Sequence, residues 1–380
     1  MWLTCAKVAC LAVVALVIPA GAGAHPAHSR PARGPAHVQT WAVDDGCNGG
    51  MGASPALVRR WLTYAETNCG PRARKARADC HQGRRIRCRV MQYLDTDWQY
   101  PAAGVPVARV ASDGWWLHEP SGAGISSSAT GGGQLINQTD GAARAFFRGY
   151  ARRHYDRDDG LLMDWQSPSL SQELYYSTCG CRTTREIHTN TALRAAHDQM
   201  AAALTHRDGR PFLQVDNTLS PNPYLPQGFD MLDRRTGVDA FMVEGAPESA
   251  GVMDPYYSTL LDQIARITRR TRAFVVLMSA GDAGAATEAR SRRVQEATIL
   301  LGYRPGRVVD WADLERGSRN LAVWPEEGIY PTHPLQSMRA PGGRGCLAGR
   351  GVVCARGGHN SVRVAPGVYR REFGACYRNG

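Results

Sequence analysis

Short apolar runs along the middle of the chain break off again and again into acidic residues, with helix-like segments between them. Tyr93-Leu94-Asp95-Thr96-Asp97-Trp98, Leu161-Leu162-Met163-Asp164-Trp165, Leu213-Gln214-Val215-Asp216-Asn217 and Phe241-Met242-Val243-Glu244 all follow this pattern. Such runs suit strands buried on both faces, and strands alternating with helices build a parallel sheet of βα units. The predicted strands are 38–43, 89–94, 114–117, 160–164, 211–215, 239–243, 273–278 and 320–324, with 298–303 competing as a further element. Eight is the number that closes a (β/α)8 TIM barrel, so an α/β barrel over 38–341 is the expected fold. Helices are predicted over 140–155, 189–205, 256–271 and 285–301. In the first of these, Ala142, Phe146, Phe147 and Tyr150 lie at helical spacing.

The ends of the chain read differently. Lys7 is the only charge in the first 24 positions, and an apolar run and Ala22-Gly23-Ala24 follow it. This predicts a signal peptide over 1–24 and a protein that is secreted or periplasmic after cleavage. The run is too short to cross a bilayer, which takes roughly 20 residues, and no later segment is apolar for long enough, so no membrane span is expected. Residues 25–37, rich in Pro, Ala and His, predict a flexible leader. The Gly-rich tail, 342–380, predicts a small disulfide-tied β-appendage. Of the eleven cysteines, Cys5 and Cys10 leave with the signal peptide. The other nine cluster at 47–88, at Cys179-Gly180-Cys181 and in the tail, a pattern of local staples in an oxidising compartment.

The charge is +11, nearly all of it arginine, and eight basic residues fall between Arg72 and Arg89. No nucleic-acid motif accompanies them, so they read as a solvated, disulfide-bounded surface, and no nucleic-acid partner is expected. The excess charge favours a neutral or acidic polymer over a cationic one. The sequence contains no G-x-S-x-G elbow and no H-E-x-x-H, and His118, His188 and His333 are scattered, so neither a metal nor a cofactor is expected. Oligomeric state is not legible.

In a barrel the C-terminal strand ends form the mouth, where a carboxylate has left the packed interior. Glycoside hydrolysis needs one carboxyl group to protonate the leaving oxygen and a second to attack the sugar or activate water, roughly 5–10 Å apart. Asp164 and Glu244, on the predicted fourth and sixth strands, are the candidate catalytic pair. Glu244 is taken as general acid and Asp164 as nucleophile or base. Asp95, Asp97, Asp216 and Asn217 are candidate substrate-positioning residues. Trp98, Trp116 and Trp165 are candidate stacking platforms for sugar rings, with core packing as the alternative for each. Asp44-Asp45-Gly46 reads as a plain turn. The expected partner is a polysaccharide or oligosaccharide. The competing reading is a catalytically inactive barrel that binds glycan or cell-wall polymer.

Asp158-Asp159-Gly160-Leu161-Leu162-Met163-Asp164, the later Val238-Asp239-Ala240-Phe241-Met242-Val243-Glu244 and the closing Val368-Tyr369-Arg370-Arg371-Glu372-Phe373 occur in the order seen in one group of barrels. In this the chain resembles the hypothetical glycoside-hydrolase-like TIM-barrel family usually numbered 15, which is related to the family 114 polygalactosaminidase-like glycosidases. The resemblance runs from Arg89 to Phe373. It implies a TIM barrel and polysaccharide hydrolysis with Asp164 and Glu244 in the site. The Cys-rich segment before Arg89, the Cys179-Gly180-Cys181 loop and the tail depart from that pattern.

Overall fold

The computed structural model describes residues 39–44, 62–67, 73–82, 85–86, 88–99, 114–127, 133–164, 169–175, 177–219, 238–243, 264, 267–268, 273–277, 308–311, 329–331, 360–363, 370–373 and 376–378. Eight strands form one sheet: β1 (Gln39–Asp44), β2 (Leu62–Thr67), β3 (Arg89–Asp95), β4 (Gly160–Asp164), β5 (Leu213–Leu219), β6 (Ala240–Val243), β7 (Phe274–Leu277) and β8 (Val308–Trp311). Every neighbouring pair is parallel, and β8 returns to β1, so the ladder closes on itself. A closed sheet leaves no edge for another chain to pair with.

Six of these strands were expected; β2 and β8 were not. Residues 114–117, expected as a barrel strand, instead join an antiparallel excursion between β3 and the next helix. Leu117 N donates to Leu135 O at 2.8 Å, and Trp116 bridges to Ile136. The expected strand at 320–324 lies outside the described residues, as do 298–303 and the first 37 positions.

The described helices are α1 (Arg74–Cys80), α2 (Gly141–His154), α3 (Leu170–Glu173) and α4 (Asn190–Ala203). Asp140 caps α2 by accepting from the amides of Ala142 and Ala143, and Thr189 caps α4 by accepting from Ala192 N. Both are N-cap residues whose oxygen satisfies amides left over in the first turn. The buried face of α2 is Ala143, Phe147 and Ala151, with Phe146 and Tyr150 partly covered. Ala142, expected on that face, is exposed.

Alternation along the strands separates two cores. Met91, Leu162, Leu213, Val215, Ala240, Met242, Phe274 and Val276 fill the interior together with Trp41 and Tyr64. Tyr64 stacks between Trp41 and Phe274, with ring centroids 5.3 Å away on each side, and burial pushes its hydroxyl up to about 12. The opposite phase, Leu94, Leu161 and Met163, packs outward against α2 and α4.

Two disulfides are local, as expected. Cys80–Cys88 ties the end of α1 to the start of β3, and Cys179–Cys181 closes around Gly180, whose φ of +60° suits glycine. The tail contributes short antiparallel pairs, Asn360–Arg363 with Arg370–Phe373 and Cys376–Arg378 with Ile329–Pro331. Its β character is therefore present, and one partner strand comes from before Pro341. Of the tail's three cysteines, Cys346 and Cys354 lie outside the described residues.

The register of β4 is fixed at its N-terminal end. Asp158 accepts from Arg77 Nη2 and from Gln92 Nε2, each at 2.8 Å, and Arg77 Nε also donates to it. Asp159 accepts from Val90 N at 2.8 Å and lies 2.8 Å from His81 Nε2, a contact that raises the His81 pKa. Gly160 follows, where a Cβ would sit 2.3 Å from Leu213 O and 2.5 Å from Met91 Cε. Gly160→Val should therefore destabilise the protein by about 1–3 kcal/mol or more, because backbone has to move; urea unfolding measures this.

Burial raises the Asp158 carboxyl above the usual range, and Arg77 and Gln92 pull it back. Arg77→Leu removes the largest downward pull, so the folded-state pKa climbs further above the unfolded one. The ionised form is then disfavoured in the folded chain, and stability is lost as pH rises. The deficit against the parent protein should widen between about pH 4 and pH 7, by ~1.4 kcal/mol per unit of added pKa difference. A deficit independent of pH would count against this account of the clamp.

Candidate active site

Three consecutive barrel strands, β3, β4 and β5, bring polar side chains together at their C-terminal ends. The inward phase of β4 runs Gly160, Leu162, Asp164, and that of β3 runs Met91, Tyr93, Asp95. On β5 it runs Leu213, Val215, Asn217. The apolar members fill the barrel and the polar ones follow them at the mouth.

The Asp164 carboxylate is gripped from both sides. Tyr93 Oη donates to Asp164 Oδ2 at 2.6 Å, and Asn217 Nδ2 donates to Asp164 Oδ1 at 2.6 Å. Asp164 is partly exposed, whereas the outward-facing Met163 beside it is fully buried. Asp95 is its register partner across β3 and β4 and is wholly buried. Asp95 Oδ1 accepts from the amides of Asp97 and Trp98, both at 2.8 Å, and so holds the turn that leaves β3. Burial, with the neighbouring Asp164 and Asp97 carboxylates, pushes the Asp95 acid well above its usual range, against those two amides. Glu66 lies on β2 in the phase of Tyr64, buried, accepting from Trp41 Nε1 at 2.9 Å.

The other sequence candidates lie elsewhere. Trp98 is not a stacking platform: it is 0 % exposed and packs among Leu117, Ile125, Leu135 and Leu170, so neither ring face is open to a sugar. Trp116 is only partly buried and leans on the cluster around α2. Asp97 is wholly buried with His197 Nε2 at 3.2 Å from its Oδ2, so it does not present a carboxylate to substrate. Asp216 is also wholly buried, in the outward phase shared with Gln214, whose amide donates to Ala201 O at 2.7 Å. Asn217, its neighbour, takes the inward position. Glu244 and Trp165 lie outside the described residues.

Sequence reading missed Tyr93 and Glu66. The signal for Tyr93 was available, since Met91-x-Tyr93-x-Asp95 puts the tyrosine in phase with an acidic strand end.

No family model matches the chain, and no curated protein matches it. Solved structures do. A cycloalternan-degrading enzyme from Trueperella pyogenes aligns at 12% identity and TM-score 0.43, covering 74% of this chain and 44% of its own. A GH31 dextranase from Flavobacterium johnsoniae, complexed with glucose, aligns at 9% identity and TM-score 0.44, covering 77% and 37%. An ER glucosidase II complex aligns at 10% identity and TM-score 0.42, covering 73% and 31%. These structural neighbours are glycoside hydrolases, and the chain spans less than half of each. The resemblance to the family numbered 15 and to family 114 has no family match beside it.

If Trp98 is core, Trp98→Ala should lower the unfolding free energy by about 3–5 kcal/mol, the cost of emptying a large buried site. A surface platform would cost little. Chemical denaturation distinguishes the two.

Proposed function

We propose that the protein is an exported glycoside hydrolase, built on a (β/α)8 barrel, with Asp164 as nucleophile or base and Glu244 as general acid. The observation that carries this reading is the grip of Tyr93 and Asn217 on the Asp164 carboxylate at the barrel mouth. Both donors favour the ionised form and fix its direction, as a group that must attack a sugar or deprotonate water requires. A carboxylate that only capped a helix would turn to backbone amides, as Asp140 does.

Glu244 enters by period and position. It follows β6 directly in the sequence, Ala240 and Met242 take the inward phase, and a strand carried on by one more residue would bring 244 to the same side. β4 and β6 are two apart around the ring, which suits the roughly 5–10 Å that glycosidase carboxylates need. The leading substrate class is a neutral or acidic oligo- or polysaccharide, in keeping with the arginine excess.

Release of new reducing ends from a polysaccharide panel tests the activity. On a cleaved substrate, Asp164→Asn and Glu244→Gln should each lower kcat by about 10²–10⁴-fold, or ~3–5 kcal/mol. Tyr93→Phe should lower it less, by about tenfold, one hydrogen bond of ~1.4 kcal/mol. Asp44→Asn should change little. If both amide variants keep more than about a tenth of the activity, a deficit below ~1.4 kcal/mol, the pair is wrongly assigned. Glycan binding with no product from any substrate would point instead to an inactive barrel.

A further inference from the structure

Behind the wall of the mouth, three buried side chains converge from separate segments. Asp97 follows β3, Glu173 lies on α3 and His197 on α4. Asp97 and His197 are 0 % exposed and Glu173 is 2 % exposed. One ligating atom from each lies within 4.8 Å of the other two. We propose that Asp97, Glu173 and His197 bind a divalent transition-metal ion, of the zinc or manganese type, through one imidazole nitrogen and two carboxylate oxygens.

Charge is the first argument. Two carboxylates held close together and shielded from bulk solvent are costly unless they are neutralised. A divalent cation balances both and leaves the imidazole neutral, which is its ligating form. The donors are the second argument. A mixed nitrogen and oxygen set suits zinc or manganese, whereas magnesium and calcium prefer oxygen alone. Two ligands on a tetrahedral zinc lie roughly 3.3 Å apart, given metal–ligand distances of about 2.0–2.2 Å. His197 Nε2 and Asp97 Oδ2 are already 3.2 Å apart.

The helix supplies the third argument. The buried face of α4 is Leu193, Ala196, Met200 and Ala201, and His197 stands among them. Core packing alone would put an apolar side chain there. A metal at this place would tie the segment after β3 to α3 and α4. It would brace the turn in which Asp95 accepts from Asp97 N without touching substrate.

The test uses the untagged full chain, stripped with chelator and dialysed against zinc, manganese, calcium or magnesium, with bound metal measured by mass spectrometry. Zinc or manganese should bind at about one equivalent and raise the melting temperature. Glu173→Gln, nearly isosteric, and His197→Ala should each weaken uptake at least about tenfold, with circular dichroism reporting the fold. If His197→Ala does not fold, Glu173→Gln alone decides. No stoichiometric uptake by the parent chain, uptake unchanged in a folded variant, or preference for calcium or magnesium would overturn the assignment. The readout is metal content and stability, so it stands or falls apart from any hydrolase activity.

Discussion

The site depends on the register of β4. Its side chains alternate with a period of two, so a slip by one residue would send Asp164 to the helix side and Met163 into the mouth. The register is held at the opposite end of the strand. Asp158 and Asp159 are tied to Arg77, Gln92, Val90 N and His81, and Gly160 lets the backbone of β5 and the Met91 side chain come closer than any Cβ would allow. These contacts lie on the N-terminal face, where a barrel keeps its stability, and they decide which side chains reach the C-terminal face. The Cys80–Cys88 disulfide reinforces them, because Arg77 and His81 flank Cys80.

How far the sequence disclosed this varies from element to element. Strands β3 to β7 are legible because parallel strands buried on both faces are continuous apolar runs. β2 is not, since Leu62-Thr63-Tyr64-Ala65-Glu66-Thr67 mixes small and polar residues with its inward aromatic. Residues 114–117 mislead in the other direction. Trp115-Trp116-Leu117 is apolar enough for a barrel strand, but its hydrogen bonds go to an antiparallel partner far along the chain, which local pattern does not reveal. One strand missed before β3 and one false strand after it offset each other, so β4 and β6 keep their expected places in the ring.

Side chains show the same division. An acidic strand end signals that a carboxylate is near the mouth, but the phase decides which of two neighbours faces it. Phase favours Asn217 over Asp216, whereas Asp97, in step with Asp95, lies past the end of β3 and is buried against His197. Trp98 follows an acidic run as a platform would, yet it turns into the core with Leu117, Ile125 and Leu135 of the excursion formed by 114–127 and 133–136. His197 passed unnoticed because its partners come from distant segments. A polar residue inside a buried helical stripe is a weak signal until those segments are folded together.

The mouth and the buried cluster differ in their surroundings. Tyr93, Asp164 and Asn217 form a cross-strand set with the carboxylate aimed and partly open, whereas Asp97, Glu173 and His197 are closed off from solvent. The proposed hydrolysis requires a second carboxylate, Glu244, to face Asp164 across the mouth. The most direct test is a crystal structure of the Asp164→Asn variant with a bound oligosaccharide. A glycosidic oxygen is expected between positions 164 and 244, with their side-chain heads roughly 5–10 Å apart. Heads more than ~12 Å apart, or a sugar bound away from the β4 and β6 ends, would contradict it.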